Sequence, residues 1–487
     1  MNTRTFKLVT LAMISALYVG NVAAEELQQS DLTLATQQLE LENKVEEARL
    51  AAEKKAEEER LALEAEKRFS ERLGEVSLQF KPLIAKIYVE NHFSPIWTDN
   101  QAKQQFLHDY ALAIAGGISK RSANALNAIH EATGKGELIE DVLLTDAFLD
   151  YLFYATNVAK SAQKWLYTGN SYKAGQLSDE QVSAWLSAVK NNDNFTFVKN
   201  LSGENALFKQ TSARVAHVIE AGVDKHNMVE LHRLAINAQR LRILPVFQDG
   251  IFVNIPSYEL NYYRDGQVVL SSRVIVGQSS RKTPVMSSRL SNVVVNPPWN
   301  APTRLINEDI IPKVRKDPSY IYRHGYTIID GSGNTIDPYT IDWENMSAKR
   351  FPYRLRQAPS DNSALGNYKF NMPSSEAIYL HDTPKRNLFG NKNRALSSGC
   401  VRVEKSDQLA TILLKEAGWT DERKQNVLKS KKTTSAGIKS DNPVFLYYVT
   451  AWVDKDQVHT LPDIYGYDKT PDLSYINWDI LKHYIQR

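Results

Sequence analysis

One cysteine, Cys400, is present among 487 residues, so the chain closes no disulfide of its own. Beyond the first two dozen residues it has no apolar run approaching the roughly 20 residues that a bilayer core demands, which argues against a multispan membrane protein. Nor is there a dense basic stretch with interleaved aromatics. The 59 basic residues stand against 56 acidic ones, a formal charge of +3, so the electrostatic footprint of a nucleic-acid partner is missing. The ten histidines are scattered, with no pair at ligand spacing beside a carboxylate motif, and neither a metal nor another cofactor is expected. His226 and His232, six apart, read as solvent-facing or capping residues of a helix.

What is present begins with an export pattern. Basic Arg4 and Lys7, an apolar run from Leu8 to Gly20 and small residues Val22-Ala23-Ala24 make residues 1–24 a secretory signal. Thirteen apolar-run residues are too few to span, so cleavage after Ala24 is expected, with an uncleaved N-terminus holding the chain to the membrane as the alternative. In an oxidising compartment a leftover thiol points to reactivity.

Cys400 sits in Ser397-Ser398-Gly399-Cys400-Val401-Arg402-Val403, nineteen positions after His381 of Tyr379-Leu380-His381-Asp382-Thr383-Pro384. A free cysteine often serves as a small buried hydrophobe. The polar Ser-Ser-Gly before it and Arg402 after it break the alternation of a core strand, and Gly399 permits a tight presentation of the thiol. Arg402 adds a positive charge that favours thiolate.

The composition, 43% hydrophobic, can fill a substantial core, and the length allows about three structural units. Residues 25–79, rich in Glu, Lys, Ala and Leu and free of proline, read as one long charged helix, either a weak coiled coil or a solvated spacer. Residues 80–240 carry helical periodicity, with Gly116-Gly117 ending one helix, Thr145-Asp146 starting another, and further helices over Asp179–Lys190, 203–222 and 228–241. Trp97, Trp165 and Trp185 read as core anchors there. From 241 to 460 the texture turns to short β-branched and aromatic runs, among them 251–255, 258–263, 268–270, 273–276, 377–380, 401–403 and 444–452, with Arg264-Asp265-Gly266 as a hairpin turn. Residues 297–353 interrupt this pattern as a Pro-rich insertion whose Trp299, Tyr320, Tyr322, Tyr326, Tyr339 and Trp343 either cover a cleft or pack the insertion down. Residues 461–487 read as a C-terminal tail. The fold class is α+β, multidomain.

In Tyr379–Pro384 and Ser397–Arg402, together with Arg356-Gln357-Ala358-Pro359, Asn362, Ala364-Leu365-Gly366 and Pro298-Trp299-Asn300, the chain resembles the L,D-transpeptidases of bacterial cell walls, the YkuD-domain family. The likeness runs from about Phe80 to Asp468 and is to the large periplasmic Gram-negative subgroup, with a helical scaffold, a β-rich catalytic domain and a capping subdomain. It departs from most of the family in carrying Ser398 where a second histidine precedes the Gly-Cys pair, so the base role falls on His381. No peptidoglycan-binding module can be discerned between Tyr172 and Met228.

The resemblance implies a periplasmic enzyme in which Cys400 attacks a stem tetrapeptide, expels D-alanine and passes the acyl group to an amine, giving a 3-3 crosslink. Hydrolysis of the same acyl-enzyme, as an L,D-carboxypeptidase or endopeptidase, is the alternative, and so is transfer to a lipoprotein or a D-amino acid. His381 would move the proton, the Gly399 and Cys400 main-chain amides and the Tyr379 hydroxyl would face the oxyanion, Arg402, Ser397 and Ser398 would contact substrate or brace the cysteine loop, and Trp299 would contact substrate. The partners implied are peptidoglycan stem peptides and cell-wall synthases or hydrolases, and a carbapenem is expected to acylate Cys400. Asp382 should point away from His381 on a continuous strand, so the group that orients His381 stays open.

Overall fold

The computed structural model describes residues 40–41, 43–169, 172–347, 351–439 and 441–486; the expected export signal and residues 25–39 of the charged helix lie outside them. The chain divides into two compact units.

One unit comprises the residues up to Pro95 with Lys135–Asp146. Residues 43–73 are helical and mostly exposed, laced by pairs such as Arg49–Glu46 at 2.7 Å and Arg60–Glu57 at 2.7 Å. Exposed pairs of this kind contribute little each, so the helix is anchored near its end, where Phe69 is fully buried and meets Tyr88 edge-on. Tyr88 hydrogen-bonds Asp141 and Thr145. Thr145-Asp146, expected to start a helix, lies inside Glu137–Trp165 instead. Its capping chemistry serves another segment: the Asp146 carboxylate accepts the Gln79 and Phe80 main-chain N–H groups at the start of helix Lys81–Glu90.

The other unit comprises Ile96–Gly134 and the chain from Ala147 onward. Its helices include Asn100–Ala115, Asp179–Lys190, Ala206–Ala221 and Met228–Arg242, each but the last started by a side-chain cap from Asp99, Ser178 or Asn205. Trp97, Phe106, Phe148 and Trp185 form one aromatic cluster at their centre, and Trp165 packs edge-on against Tyr172. His232 is buried, not solvent-facing, because its Nε2 meets the Gly116 main-chain oxygen at 3.1 Å; His226 is exposed in the preceding turn. The expected C-terminal tail, described to residue 486, contains the helix Trp478–Ile485, which buries Ile480, Leu481, Tyr484 and Ile485.

The β-rich part carries β1 Gly250–Asn254, β2 Glu259–Arg264, β3 Gln267–Gly277, β4 Met286–Arg289, β5 Asn292–Val295, β6 Trp299–Asn300, β7 Tyr326–Ile329, β8 Thr335–Ile336, β9 Arg354–Gln357, β10 Tyr368–Asn371, β11 Leu380–His381, β12 Ala395–Ser397, β13 Val401–Val403, β14 Thr434–Gly437, β15 Pro443–Tyr447, β16 Ala451–Asp454 and β17 Gln457–Thr460. Eleven of these form one sheet in the order β14-β5-β10-β11-β13-β3-β2-β1-β15-β4, with β12 beside β3. Asp265 and Gly266, both at positive φ, turn β2 into β3 as expected of a two-residue hairpin.

Three strand expectations need correction. The runs 268–270 and 273–276 are one strand, because Ser271 and Ser272 continue the ladder opposite Asn261 and Leu260. The run 444–452 is two strands in different sheets; the chain turns between them as the Val449 and Thr450 N–H groups bond the side chains of Asn254 and Asn237. The run 377–380 shortens to β11 because Ala377 takes a left-handed φ of 52°.

Within 297–353, strands β6, β7 and β8 join β9 in a separate sheet with its own aliphatic core of Ile306, Ile310, Ile311, Val314 and Ile328. Trp343 belongs to that core, its indole N–H on the Pro338 oxygen at 2.6 Å, so it does not cover a cleft. Tyr322 and Tyr339 are exposed, at 57% and 62%.

Candidate active site

Three adjacent strands build the site. Antiparallel β10 sets Lys369 opposite His381, and parallel β13 sets Arg402 opposite His381 on the other side. The Val401 N–H bonds the Tyr379 oxygen at 3.2 Å, so the pairing carries on past the ends of these strands and brings Tyr379 and Cys400 in just before His381 and Arg402. The Tyr379 and His381 rings stand 5.7 Å apart edge-on, and Lys369 Nζ lies 4.3 Å from the centre of the Tyr379 ring. The sequence-expected Cys400, His381, Tyr379 and Arg402 are thus brought together, with Lys369 added.

The thiol is held by a braced loop. Gly399 sits at φ +123°, and a Cβ there would meet Ile378 Cδ1 at 3.3 Å, so glycine is required. Its carbonyl accepts the Thr283 hydroxyl at 2.7 Å, while Thr283 Oγ1 accepts the Gly277 N–H at 2.8 Å. Behind these, the Tyr465 hydroxyl accepts the Thr283 N–H at 3.1 Å and donates to the Gly277 oxygen at 2.6 Å.

Several assigned roles change on this geometry. The Gly399 N–H is engaged by Ser397 Oγ at 3.2 Å, so it does not stand free for an oxyanion; of the two expected main-chain donors the Cys400 N–H remains. Ser397 is buried and donates to the Cys400 oxygen at 2.6 Å, so of its two expected roles it takes that of a loop strut. Ser398 Oγ is exposed and accepts from Arg281, whose guanidinium also pairs with Glu308 and Asp309 of the insertion at 2.7 and 2.6 Å. The Tyr379 hydroxyl lies close enough to both Trp299 and the Cys400 sulfur for each to act on its ionisation.

Electrostatics set a neutral resting state. Burial pushes the Cys400 thiol above its ordinary range, outweighing the hydrogen bonds from Tyr379 and the charges of Lys369 and Arg402, so Arg402 does not make it a thiolate as the sequence suggested. Burial, with Arg402 and Lys369 close by, depresses His381 to about 3. The open question of what orients His381 is settled by the main chain. His381 Nδ1 lies 2.5 Å from the Asp382 carbonyl oxygen, which can only accept, so Nδ1 carries the proton and Nε2 keeps its lone pair. The Asp382 carboxylate faces elsewhere, accepting the Asn367 N–H at 2.9 Å and the Ser406 hydroxyl at 2.7 Å.

Fold and site therefore define an α+β protein whose sheet brings together a loop-held thiol, an oriented imidazole and two cations. The model of the L,D-transpeptidase catalytic domain matches residues 248–417, and that of a scaffold domain matches residues 82–214. A Haemophilus influenzae protein named, provisionally, an L,D-transpeptidase is 58% identical over 417 residues, 86% of this chain and 84% of that one. The chain belongs to the L,D-transpeptidase family. Among solved structures it is similar to the catalytic domain of an E. faecium L,D-transpeptidase acylated by ertapenem, at 12% identity over 41% of this chain and 98% of that one, with a TM-score of 0.20. It is also similar to an L,D-transpeptidase from Mycobacterium smegmatis, at 11% identity over 40% of this chain and 57% of that one, with a TM-score of 0.20.

Proposed function

We propose that this protein forms 3-3 crosslinks between peptidoglycan stem peptides in the periplasm through an acyl-enzyme on Cys400. The observation that carries the reading is the meeting of Cys400 and His381 where β11 pairs with β13, with His381 Nε2 left as a proton acceptor by the Asp382 carbonyl. The neutral thiol passes its proton to Nε2 as the sulfur–carbon bond forms, and the imidazolium returns that proton to the leaving amine as the carbon–nitrogen bond breaks. Arriving acceptor amine reverses the sequence: it loses a proton to His381, takes the acyl carbon, and the thiol is restored. The Cys400 N–H and the Tyr379 hydroxyl are the candidate donors to the oxyanion. Arg402, whose Nε is buried without a hydrogen-bond partner, offers a cation for the carboxylate of a diaminopimelate side chain.

The test incubates protein lacking residues 1–24 with a disaccharide-tetrapeptide and follows products by mass spectrometry. A crosslinked dimer with release of D-alanine is expected, and a tripeptide alone would assign hydrolysis instead. Replacing Cys400→Ala should abolish both products; persistence of either would place the nucleophile elsewhere. A carbapenem should add covalently to Cys400 and not to the Cys400→Ala variant.

A further inference from the structure

Lys369 has no role in the acyl-transfer chemistry just described, yet its position is unusual. It is half-buried on the site's own face, its ammonium over the Tyr379 ring, and the titratable group nearest its charge is the neutral Cys400 thiol. Among the described residues no carboxylate stands within ion-pair distance of Lys369 or of Arg402. A cation withdrawn from water without an anion is costly, and such groups are ordinarily paired. Two unpaired cations flanking one imidazole therefore point to anions that arrive with the substrate.

Their places in the sheet separate their tasks. Arg402 is on the strand that the Cys400 loop leads into, whereas Lys369 lies across His381 from it. During acylation the leaving nitrogen must come within hydrogen-bond reach of His381 Nε2, since it takes its proton there. In a departing amino acid the carboxylate is only one carbon removed from that nitrogen, and the flexible stem of Lys369 starts directly opposite His381. We propose that Lys369 binds the carboxylate of the leaving residue, so that the site reads a donor's chain end, resting on the acyl-transfer reading above. The bond changes are those already written: sulfur to acyl carbon forms, carbon to nitrogen breaks, and the free amino acid departs with its carboxylate against Lys369. An anion there also offsets one of the two charges that oppose imidazolium formation on His381.

The experiment uses two donors, a disaccharide-tetrapeptide with a free terminal carboxylate and the same compound as its terminal carboxamide. Release of D-alanine or D-alaninamide by wild-type protein lacking residues 1–24 gives kcat/KM for each. Loss of one charge-assisted hydrogen bond predicts that the carboxamide is poorer by about 10- to 100-fold. Lys369→Met should lower the carboxylate donor by a similar factor relative to the carboxamide, and so erase the discrimination, while Lys369→Arg retains much of it. Wild-type indifference to the terminal group overturns the proposal without any variant. An equal loss on both donors in Lys369→Met also overturns it, because Lys369 would then act through Tyr379 or the thiol. Failure of the wild type to release anything from either donor would instead bring down the acyl-transfer reading itself.

Discussion

His381 is oriented by the main chain of its neighbour Asp382, not by the Asp382 side chain: Nδ1 meets the carbonyl oxygen at 2.5 Å while the carboxylate holds Asn367 and Ser406. A backbone carbonyl fixes the tautomer as well as a carboxylate does, but it supplies no negative charge to an imidazolium. Asp382→Asn should therefore lower kcat/KM by less than about 10-fold, far from the roughly 10,000-fold loss that follows when a triad carboxylate is removed. It should still reduce stability by about 1–2 kcal/mol, because the buried carboxylate accepts two hydrogen bonds and lies 3.4 Å from Arg386. A loss of activity as large as that of His381→Ala, in a variant that melts normally, would restore the side chain to the mechanism.

The resting thiol is neutral, since burial holds Cys400 above its ordinary 9.0 and His381 is held near 3. In the absence of substrate, alkylation of Cys400 by iodoacetamide should still be rising at pH 9, because the thiolate is the reactive form. A rate that levels off by pH 7 would mean that thiolate and imidazolium already exist as a pair.

How much of this was legible in the chain follows the range of the interactions. Cys400 and His381 announced themselves through residue type and local turn chemistry, and the Asp265-Gly266 hairpin through two residues that tolerate positive φ. Lys369 did not, because in Tyr-Lys-Phe it looks like the solvent-facing member of an alternating strand. Only the order β10-β11-β13, set by pairings between distant segments, turns its face toward the thiol. The Asp382 carbonyl was invisible for another reason: every residue has a carbonyl, and its direction is decided by the backbone. Likewise Thr145-Asp146 carried a true capping signal, but its N–H partners at Gln79 and Phe80 are far away in sequence.

Thr283 ties the strand exit at Gly277 to the cysteine loop through a single hydroxyl. Thr283→Val keeps the volume and leaves the Gly277 N–H and Gly399 carbonyl buried without that partner, at about 1–3 kcal/mol for each. The melting temperature should fall, and kcat/KM should fall further than stability alone explains, because Gly399 is held at +123° partly by this bond. Thr283→Ser should recover most of both. If Val and Ser variants behave alike, the hydroxyl does not position the loop.

Acid sensitivity gives a last test, with a definite sign. Folded His381 titrates at about 3, whereas an unfolded histidine titrates at about 6.5, so between these values the unfolded chain binds a proton that the folded chain refuses. Stability therefore rises with pH across that window and is lost as pH falls from about 6.5 toward 3, by up to about 1.4 kcal/mol per pH unit. His232, also buried and depressed to about 4, adds a loss of the same sign. Urea unfolding at pH 7.5 and pH 5 should show the wild type weakened at the lower pH, and His381→Gln should shrink that difference by roughly 2 kcal/mol while His232 keeps its share. The same pH difference in both proteins would show that His381 takes up its proton in the folded state as readily as in the unfolded one, and that burial beside Arg402 and Lys369 does not depress it.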